Sequence, residues 1–210
     1  TQELDSVRDV LRSAYGELSE HRGERLQYLG IVWDFSQEGE VRATMAAYEK
    51  RMLEECGVEG TARTPATDDL FDRPEGESAV CETDRAWFHS YVARMLYLAK
   101  HCRLECLPAV ACLSTRVSAP TPSDVQKLKR VLRYVRGTAG TALVLRIGEG
   151  GVSVNAYVDA SHAVPSGRKS PPGVAVAIGE GACVLAKSTK QKIVKQTSTD
   201  AETEAASDHT

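Results

Sequence analysis

The stretch SDVQKLKRVLRYVRG, residues 123–137, specifies a helix more clearly than any other part of this 210-residue chain. Ser123 and Gln126 have the spacing of a capping box, in which two side chains satisfy the free amides at a helix start. Gly137 suits the position just after a helix end. Apolar residues recur every three or four positions, which predicts one buried stripe. The stripe consists of Val125, Leu128, Val131, Leu132 and Val135.

The opposite face of this predicted helix is basic. Residues 1–121 hold 14 Lys and Arg against 21 Asp and Glu, whereas residues 122–199 hold 12 against 4, in a chain of net charge -3. A local excess of positive charge favours a polyanionic partner such as nucleic acid, although a solvated basic face gives the same pattern. The helix contributes Lys127, Lys129, Arg130, Arg133 and Arg136.

Helical and strand patterns precede this helix. Apolar spacing predicts helices over residues 4–20 and about 45–56, with a strand-like stretch at 26–35 between them. Residues 60–85 are polar, acidic and rich in turn formers, which predicts an exposed loop or linker. Residues 87–113 predict one long helix or two in succession.

After the helix, the apolar period changes from that of a helix to the alternation of strands. Residues 141–147, 152–158, 173–178 and 182–187 follow this pattern and predict one antiparallel sheet. Thr199 and Glu202 repeat the capping-box spacing, so a last helix should begin near residue 198 or 199. The expected fold class is therefore α+β, a helical region followed by a sheet.

Composition excludes several classes of protein. With 42% hydrophobic and 26% charged residues, the chain suits globular domains with a real core. No apolar run reaches the roughly 20 residues that span a bilayer, and the start lacks the plan of a signal peptide. The missing initiator Met and the polar end suggest a piece of a longer protein. Nothing in the sequence argues for a membrane or for export.

Six cysteines raise the question of disulfides or zinc. None belongs to a C-x-x-C pair, and the spacing of Cys102 and Cys106, with His101 beside them, matches a helix face better than a zinc site. We expect reduced, partly buried thiols in an intracellular protein.

Two acidic residues stand where a metal site can form. Asp159 follows the predicted strand 152–158, and Glu202 lies in the first turn of the last predicted helix. Mg²⁺ prefers carboxylate oxygens, water and phosphate, and a pair of such ions can drive phosphodiester hydrolysis. The alternative is that Asp159 merely ends a strand and Glu202 only completes the capping box of Thr199.

Residues 127–138, KLKRVLRYVRGT, resemble the KRILRYLKGT segment of copia-type retrotransposon Pol polyproteins. Further segments resemble that family in the family's order. Residues 28–31 (YLGI) resemble the strand after the polymerase palm, and residues 91–99 (YVARMLYLA) resemble a helix that follows it. Residues 157–161 (YVDAS) resemble the first ribonuclease H (RNase H) strand. Three short segments complete the series: 168–170 (RKS), 187–191 (KSTKQ) and 198–202 (STDAE).

The resemblance implies a fragment of a reverse transcriptase, an RNA-directed DNA polymerase whose RNase H domain cleaves the RNA strand of RNA/DNA hybrids. Residues 1–59 would be the end of the palm and the start of the thumb or connection region. Residues 60–85 would be an acidic loop or linker, and 86–150 a helical connection region. Residues 151–210 would be a truncated RNase H-like mixed sheet with antiparallel hairpins.

The same resemblance assigns roles to particular residues. Asp159 and Glu202 would be catalytic and would bind Mg²⁺. The expected partners are an RNA/DNA hybrid or other nucleic acid and the remainder of the Pol polyprotein, with no membrane, in the cytoplasm or nucleus. Basic residues would lie near the hybrid's phosphates: Lys127, Arg130, Arg133, Arg136, Arg168, Lys169, Lys187 and Lys190.

The chain also departs from the family. The Tyr-x-Asp-Asp motif of the polymerase and the later RNase H acids are absent, so the fragment itself is expected to be inactive. The family's TRPD segment reads CRLE at residues 102–105, and Ser161 and His162 replace an Asp and a Trp. Two alternatives stay open: a non-catalytic nucleic-acid-binding or scaffold remnant of a decayed retroelement, and a cellular protein-interaction module.

Overall fold

A computed structural model describes residues 2–146, 153–159, 173–179 and 181–188 of the chain. Within them the fold is α+β, as predicted, with five α-helices and two antiparallel sheets. Two short 3₁₀ turns span Asp68–Phe71 and Leu104–Cys106. The helices are α1 (Gln2–Tyr15), α2 (Ala46–Glu55), α3 (Glu82–His101), α4 (Leu107–Ser114) and α5 (Pro122–Gly137). The strands are β1 (Arg25–Tyr28), β2 (Ile31–Gln37), β3 (Glu40–Thr44), β4 (Leu143–Arg146), β5 (Val154–Asp159), β6 (Gly173–Ile178) and β7 (Cys183–Ser188).

Helix α5 is present, but its capping box is not the predicted pair Ser123 and Gln126. The box is formed by Thr121 and Asp124, with the Thr121 amide donating to Asp124 Oδ2 at 3.0 Å. Arg116 Nη1 binds the other carboxylate oxygen at 2.5 Å. Burial alone would raise the pKa of Asp124, but the hydrogen bonds from Arg116 and the Thr121 amide hold it below its ordinary value. A charged acceptor with two donors therefore sets the helix start.

The stretch predicted as one strand over residues 26–35 is a hairpin of two strands, β1 and β2. Leu29 and Gly30 have φ values of 51° and 77°, the left-handed conformation that both central residues of a type I′ turn need. The Tyr97 hydroxyl donates to the Leu29 carbonyl oxygen at 2.6 Å. This hydrogen bond fixes the strained turn to α3.

The hydrophobic core lies where the helices α2 to α5 meet one face of the first sheet. Phe88, Met95 and Leu98 of α3 are fully buried. Ile31 and Ala43 bring β2 and β3 to the same core. The apolar stripe predicted on α5 is confirmed, since its five members are all buried.

The strands predicted as one sheet belong to two. Strand β4 pairs with β3, which gives the order β1-β2-β3-β4, whereas the second sheet has the order β5-β6-β7. The prediction of one sheet over residues 141–187 is wrong because alternating apolar residues mark a strand without naming its neighbour. Strand pairing therefore joins residues 40–44 to 143–146, across the predicted domain boundaries.

The two sheets meet at β4. The Ala182 amide donates to the Val144 carbonyl oxygen at 2.8 Å, and Arg146 forms a parallel bridge with Gly179. A Cβ atom at Gly181 would lie 2.8 Å from the Cα of Leu145 and 2.9 Å from the Val144 oxygen. Only glycine allows the two backbones to come this close.

Of the predicted loop 60–85, residues 82–85 belong to α3, and the rest is a loop with one 3₁₀ turn that is packed against the helices. Leu70 is buried, and the Val80 amide donates to the Pro120 carbonyl oxygen at 2.9 Å. The last helix, predicted near residue 198, lies outside the described residues. Among the helices that the structure describes, none has the length and apolar character needed to cross a membrane.

Candidate functional site

The predicted metal site lies only partly in the described residues. Asp159 is the last residue of β5, and its backbone pairs with Gly173 of β6. In the part of the chain that the structure describes, no group of three or more His, Cys, Asp or Glu side chains is placed to hold a metal ion. The convergence of Asp159 and Glu202 on Mg²⁺ stays a prediction. The predicted site residues outside the described part are Glu202, Arg168, Lys169 and Lys190.

The basic face of α5 lies against the chain's own residues 58–72, which we call the clamped segment. Lys127 Nζ donates to the Asp72 carbonyl oxygen at 2.6 Å. Arg130 Nη2 donates to the Thr64 hydroxyl at 2.9 Å. Two residues predicted to bind nucleic acid thus bind neutral oxygens of the protein itself.

The other two predicted nucleic-acid-binding residues of α5 hold the start of the clamped segment. Arg133 Nε donates to the Glu59 carbonyl oxygen at 2.9 Å. Arg136 Nη2 bridges the carbonyl oxygens of Leu53, at 2.8 Å, and Val58, at 2.7 Å. Leu53 lies in the last turn of α2 and Val58 just after the helix, so Arg136 satisfies acceptors that a helix end leaves free.

The basic face of α5 is half-buried, which makes it unlike an open polyanion-binding surface. The side chains of Lys127, Arg130, Arg133 and Arg136 are all partly covered. Within the described residues, the Nε atoms of Arg130 and Arg136 are buried and have no hydrogen-bond partner. Contact with nucleic acid through α5 stays a prediction, and such a partner would compete with the clamped segment. Lys187 lies in β7, where its backbone pairs with Val174.

Arg103 is a fully buried cation between α3 and α4. Its Nη1 lies 3.1 Å from Glu49 Oε1 of α2, and its Nε lies 2.7 Å from Glu105 Oε1. Its Nη2 donates to the Thr138 hydroxyl just after α5. The guanidinium also lies over the Tyr134 ring, 5.5 Å from the centroid. One side chain thereby joins α2, the second 3₁₀ turn and both ends of the last turn of α5.

The charge of the Arg103 guanidinium is compensated inside this cluster. Burial alone would lower the pKa of Arg103, but hydrogen bonds and charge from Glu105 and Glu49 raise it above its ordinary value. Glu49 is buried as well, and it accepts a hydrogen bond from the Gly140 amide at 3.4 Å. A buried pair of this kind stabilises a fold only when its remaining polar atoms are bonded, as they are here.

The role of Arg103 was not predicted from the sequence, in which residues 102–105 stood only as a departure from a family segment. A signal was present, because Arg103 and Glu105 interrupt an otherwise apolar helical stretch, and charged residues are rarely fully buried unless paired. Its partner Glu49 lies 54 positions away, and no pattern in the neighbouring sequence indicates that the two residues pair.

Two thiols flank Arg103. Burial raises the pKa of Cys102 to about 11 and that of Cys106 to about 12. The thiolate is the form that reacts with oxidants and metals, so these side chains behave as small apolar groups. All six cysteines lie in the described part of the chain, and each is a free thiol there.

A surface cavity of about 280 Å³ opens between α2 and α3. Arg94 Nη1 pairs with Glu55 Oε2 at 2.6 Å, and the guanidinium lies over the Tyr91 ring at 5.1 Å. The Tyr48 hydroxyl donates to the Arg94 carbonyl oxygen at 3.2 Å. These contacts join the two helices, so the polar groups of the cavity already serve the fold.

A comparison with known proteins identifies a relative of this chain. Secreted RxLR effector protein 161 of Plasmopara viticola is 35% identical over 122 residues, which are 58% of this chain and 84% of the relative. The chain belongs to the family of this effector. No protein-family model matches the chain, and no solved structure matches it.

Membership of the RxLR effector 161 family corrects the predicted function. The prediction of a retrotransposon reverse-transcriptase fragment with an RNase H domain is wrong, because the relative is a secreted effector protein. The alternative, a nucleic-acid-binding remnant of a decayed retroelement, is wrong for the same reason. The likeness of single segments to copia-type polyproteins stays a prediction, since this relative does not bear on it. The predicted intracellular location does not fit a secreted relative.

The letters RxLR in the relative's name describe a tetrapeptide that this chain contains once, Arg130-Val131-Leu132-Arg133. Val131 and Leu132 are fully buried in the core, and both arginines hold the clamped segment. In this fold the tetrapeptide is a packing element of α5.

The Arg103–Glu49 pair yields a stability prediction. Arg103→Met should lower the free energy of unfolding by about 3–5 kcal/mol, because the Glu49 carboxylate is left buried without its counter-charge. Adding Glu49→Met should restore part of that loss, since two apolar side chains then replace two charges. Urea unfolding of each single variant and of the double variant measures the coupling.

Glu105→Ala is the matched control, because it removes the half-exposed partner of the same guanidinium. We expect it to cost about 1–3 kcal/mol, less than Arg103→Met, because Arg103 Nε loses its acceptor while the charge pair with Glu49 stays. If the two single-variant losses simply added in the double variant, Arg103 and Glu49 would not interact.

The clamped segment yields a second prediction. Arg130→Ala combined with Arg133→Ala should release the segment while α5 stays folded, since the buried Val131 and Leu132 are unchanged. Losing two hydrogen bonds should raise the rate of tryptic cleavage at Arg63 roughly tenfold. Limited proteolysis with mass spectrometry measures this rate. Lys129→Ala is the control, because the Lys129 amine lies 6.0 Å from the Trp87 ring centroid instead. Equal cleavage at Arg63 in all three proteins would contradict the clamp.

Proposed function

We propose that this chain is a secreted effector protein that acts by binding another protein. The observation that carries the proposal is the 35% identity to Secreted RxLR effector protein 161 over 84% of that relative. The folded helical body, held together by the Arg103 cluster and the clamped segment, serves as the scaffold for the binding surface.

The exposed apolar face of α1 supports a binding role. Leu4, Val7, Val10 and Tyr15 lie at helical spacing, and between 56% and 77% of each side chain is exposed. Leu11 lies on the same face at 41% exposure. Contiguous exposed apolar side chains mark interaction surfaces, and an amphipathic helix of this kind fits an apolar groove in a partner protein.

The charges of α1 favour a protein groove over a lipid surface. The helix holds three acidic residues, Glu3, Asp5 and Asp9, against two arginines. Arg8 pairs with Asp5 at 2.8 Å and with Asp9 at 3.1 Å, so the polar face is largely neutralised. Helices that bind anionic membranes carry an excess of Lys and Arg on that face instead.

The state of the thiols is compatible with export. Secreted proteins pass through oxidising compartments, where reactive thiols form disulfides. Burial keeps Cys102 and Cys106 protonated, because their pKa values of about 11 and 12 lie far above neutral pH. These two core thiols therefore react slowly in disulfide formation.

Secretion is the first test of the proposal. In cultures of the organism that produces this chain, the endogenous protein should be recovered from the medium, measured by immunoblotting or mass spectrometry of medium and cells. An abundant intracellular enzyme is the control for cell lysis. Recovery of the chain only with that enzyme, inside the cells, would overturn the proposal.

The α1 surface is tested by stability. Leu4→Gln combined with Leu11→Gln should change the free energy of unfolding by less than about 0.5 kcal/mol, because both residues are exposed and Leu and Gln have similar helix propensities. Leu132→Gln makes the same exchange in the buried stripe of α5 and should cost several kcal/mol, about 3 or more. Urea unfolding gives the comparison. A large loss in the α1 variant would show that this face is needed by the fold and is not available to a partner.

A further inference from the structure

The two sheets end in four strand edges among the described residues, and three of these edges are protected. Strand β1 is four residues long and carries Arg25, which pairs with Asp34 at 3.1 Å. Strand β4 contacts Gly179, Gly181 and Ala182 beside the second sheet. Strand β7 packs against α4, and Ala186 reaches the core. Short length, charge and cover are the usual means by which proteins protect sheet edges.

In the described part of the chain, strand β5 lacks the short length and the cover of the other edges, and its one charged residue, Asp159, stands at its end. It is six residues long, and residues 153–158 are all exposed. Its sequence, VNAYVD, contains no Lys, Arg or Pro. Val154 and Tyr157 are 68% and 61% exposed. An exposed and largely apolar edge, whose one charged residue lies at the end of the strand, is a template for another strand.

The hydrogen bonds of β5 show which backbone groups face outward. The Gly179 amide donates to the Ser153 carbonyl oxygen at 2.8 Å, so Ser153 points its polar groups towards β6. Along an antiparallel strand, successive residues direct their backbone amide and carbonyl groups to opposite edges. The backbone groups of Asn155 and Tyr157 therefore also point towards β6. The amide and carbonyl groups of Val154, Ala156 and Val158 therefore face the free edge.

The outward backbone groups of Val154, Ala156 and Val158 can pair with the same groups of a second copy. If two copies of β5 pair antiparallel about a two-fold axis at Ala156, Val154 of each copy lies opposite Val158 of the other. The three outward residues then form three hydrogen-bonded pairs with two bonds each, and all outward groups are satisfied. Asn155 lies opposite Tyr157, and no like charges face each other. Isologous contacts of this kind close into a dimer.

We infer that the free edge of β5 pairs with β5 of a second copy of this chain, which forms one continuous six-stranded antiparallel sheet. The interface is confined to one strand and its neighbours, so it belongs to the small, weak class. The dimer therefore forms and dissociates with concentration. The interface uses no residue of α1, so the inference does not rest on the proposed function.

Sedimentation velocity of the full chain from roughly 5 to 500 µM tests this inference. The sedimentation coefficient should rise from the monomer value to the dimer value. Val154→Lys and Val158→Glu should each weaken the dimer at least about tenfold, because a charge then faces an apolar partner. An equimolar mixture of the two variants should recover dimer, because residues 154 and 158 face each other across the axis.

Leu185→Lys is the matched control. It makes the same kind of change at a residue that is 55% exposed in β7 of the same sheet, away from the β5 edge, and it should leave the dimer unchanged. Hydrogen exchange at the amides of residues 154, 156 and 158 should slow as concentration rises.

Three results would overturn the inference. The first is a monomer at every concentration with fast exchange at these amides, which would show a free edge. The second is a monomer with slow exchange at every concentration, which would show that the edge is occupied within one chain. The third is a dimer that Val154→Lys does not weaken, or that the mixture of variants does not restore, which would place the interface elsewhere.

Discussion

A single guanidinium, that of Arg103, connects the helices on which the rest of this structure depends. It is fully buried, and its hydrogen bonds reach Glu49 of α2, Glu105 of the second 3₁₀ turn and Thr138 after α5. A buried cation is costly unless each donor has an acceptor, so the three elements must keep their relative positions. The apolar core supplies most of the favourable free energy, and the Arg103 cluster selects one arrangement of it.

The basic residues of α5 show how charge can be used inside a protein. Lys127, Arg130, Arg133 and Arg136 each donate to oxygens of the segment 53–72, most of them main-chain carbonyls. Loops have backbone acceptors that no regular structure satisfies, and long cationic side chains reach them while their stems cover apolar surface. A basic helix face therefore holds a loop as readily as it holds a phosphate. Counting charges along the sequence does not separate these two uses.

How well each part of the fold could be predicted depends on how far apart in the sequence its interacting residues lie. The α5 stripe could be predicted because its signal lies within five turns of one helix, and the hairpin strands could be seen as apolar stretches. The turn at Leu29 was missed because leucine rarely adopts positive φ, and only its contact with Tyr97 explains it. The pairing of β3 with β4 joins residues about 100 positions apart and leaves no local pattern. The same holds for Arg103 and Glu49.

The candidate binding surfaces could not be predicted from the sequence, for a different physical reason. An apolar residue in an amphipathic pattern is expected to face a core, yet Val7 and Val10 of α1 remain exposed. Which stripes are buried depends on the number of elements available to cover them, and α2 to α5 with the first sheet already complete one core. Surplus apolar faces are then left for other molecules. The proposed binding function therefore uses apolar surface that remains after folding, while much of the charge of α5 holds the fold together.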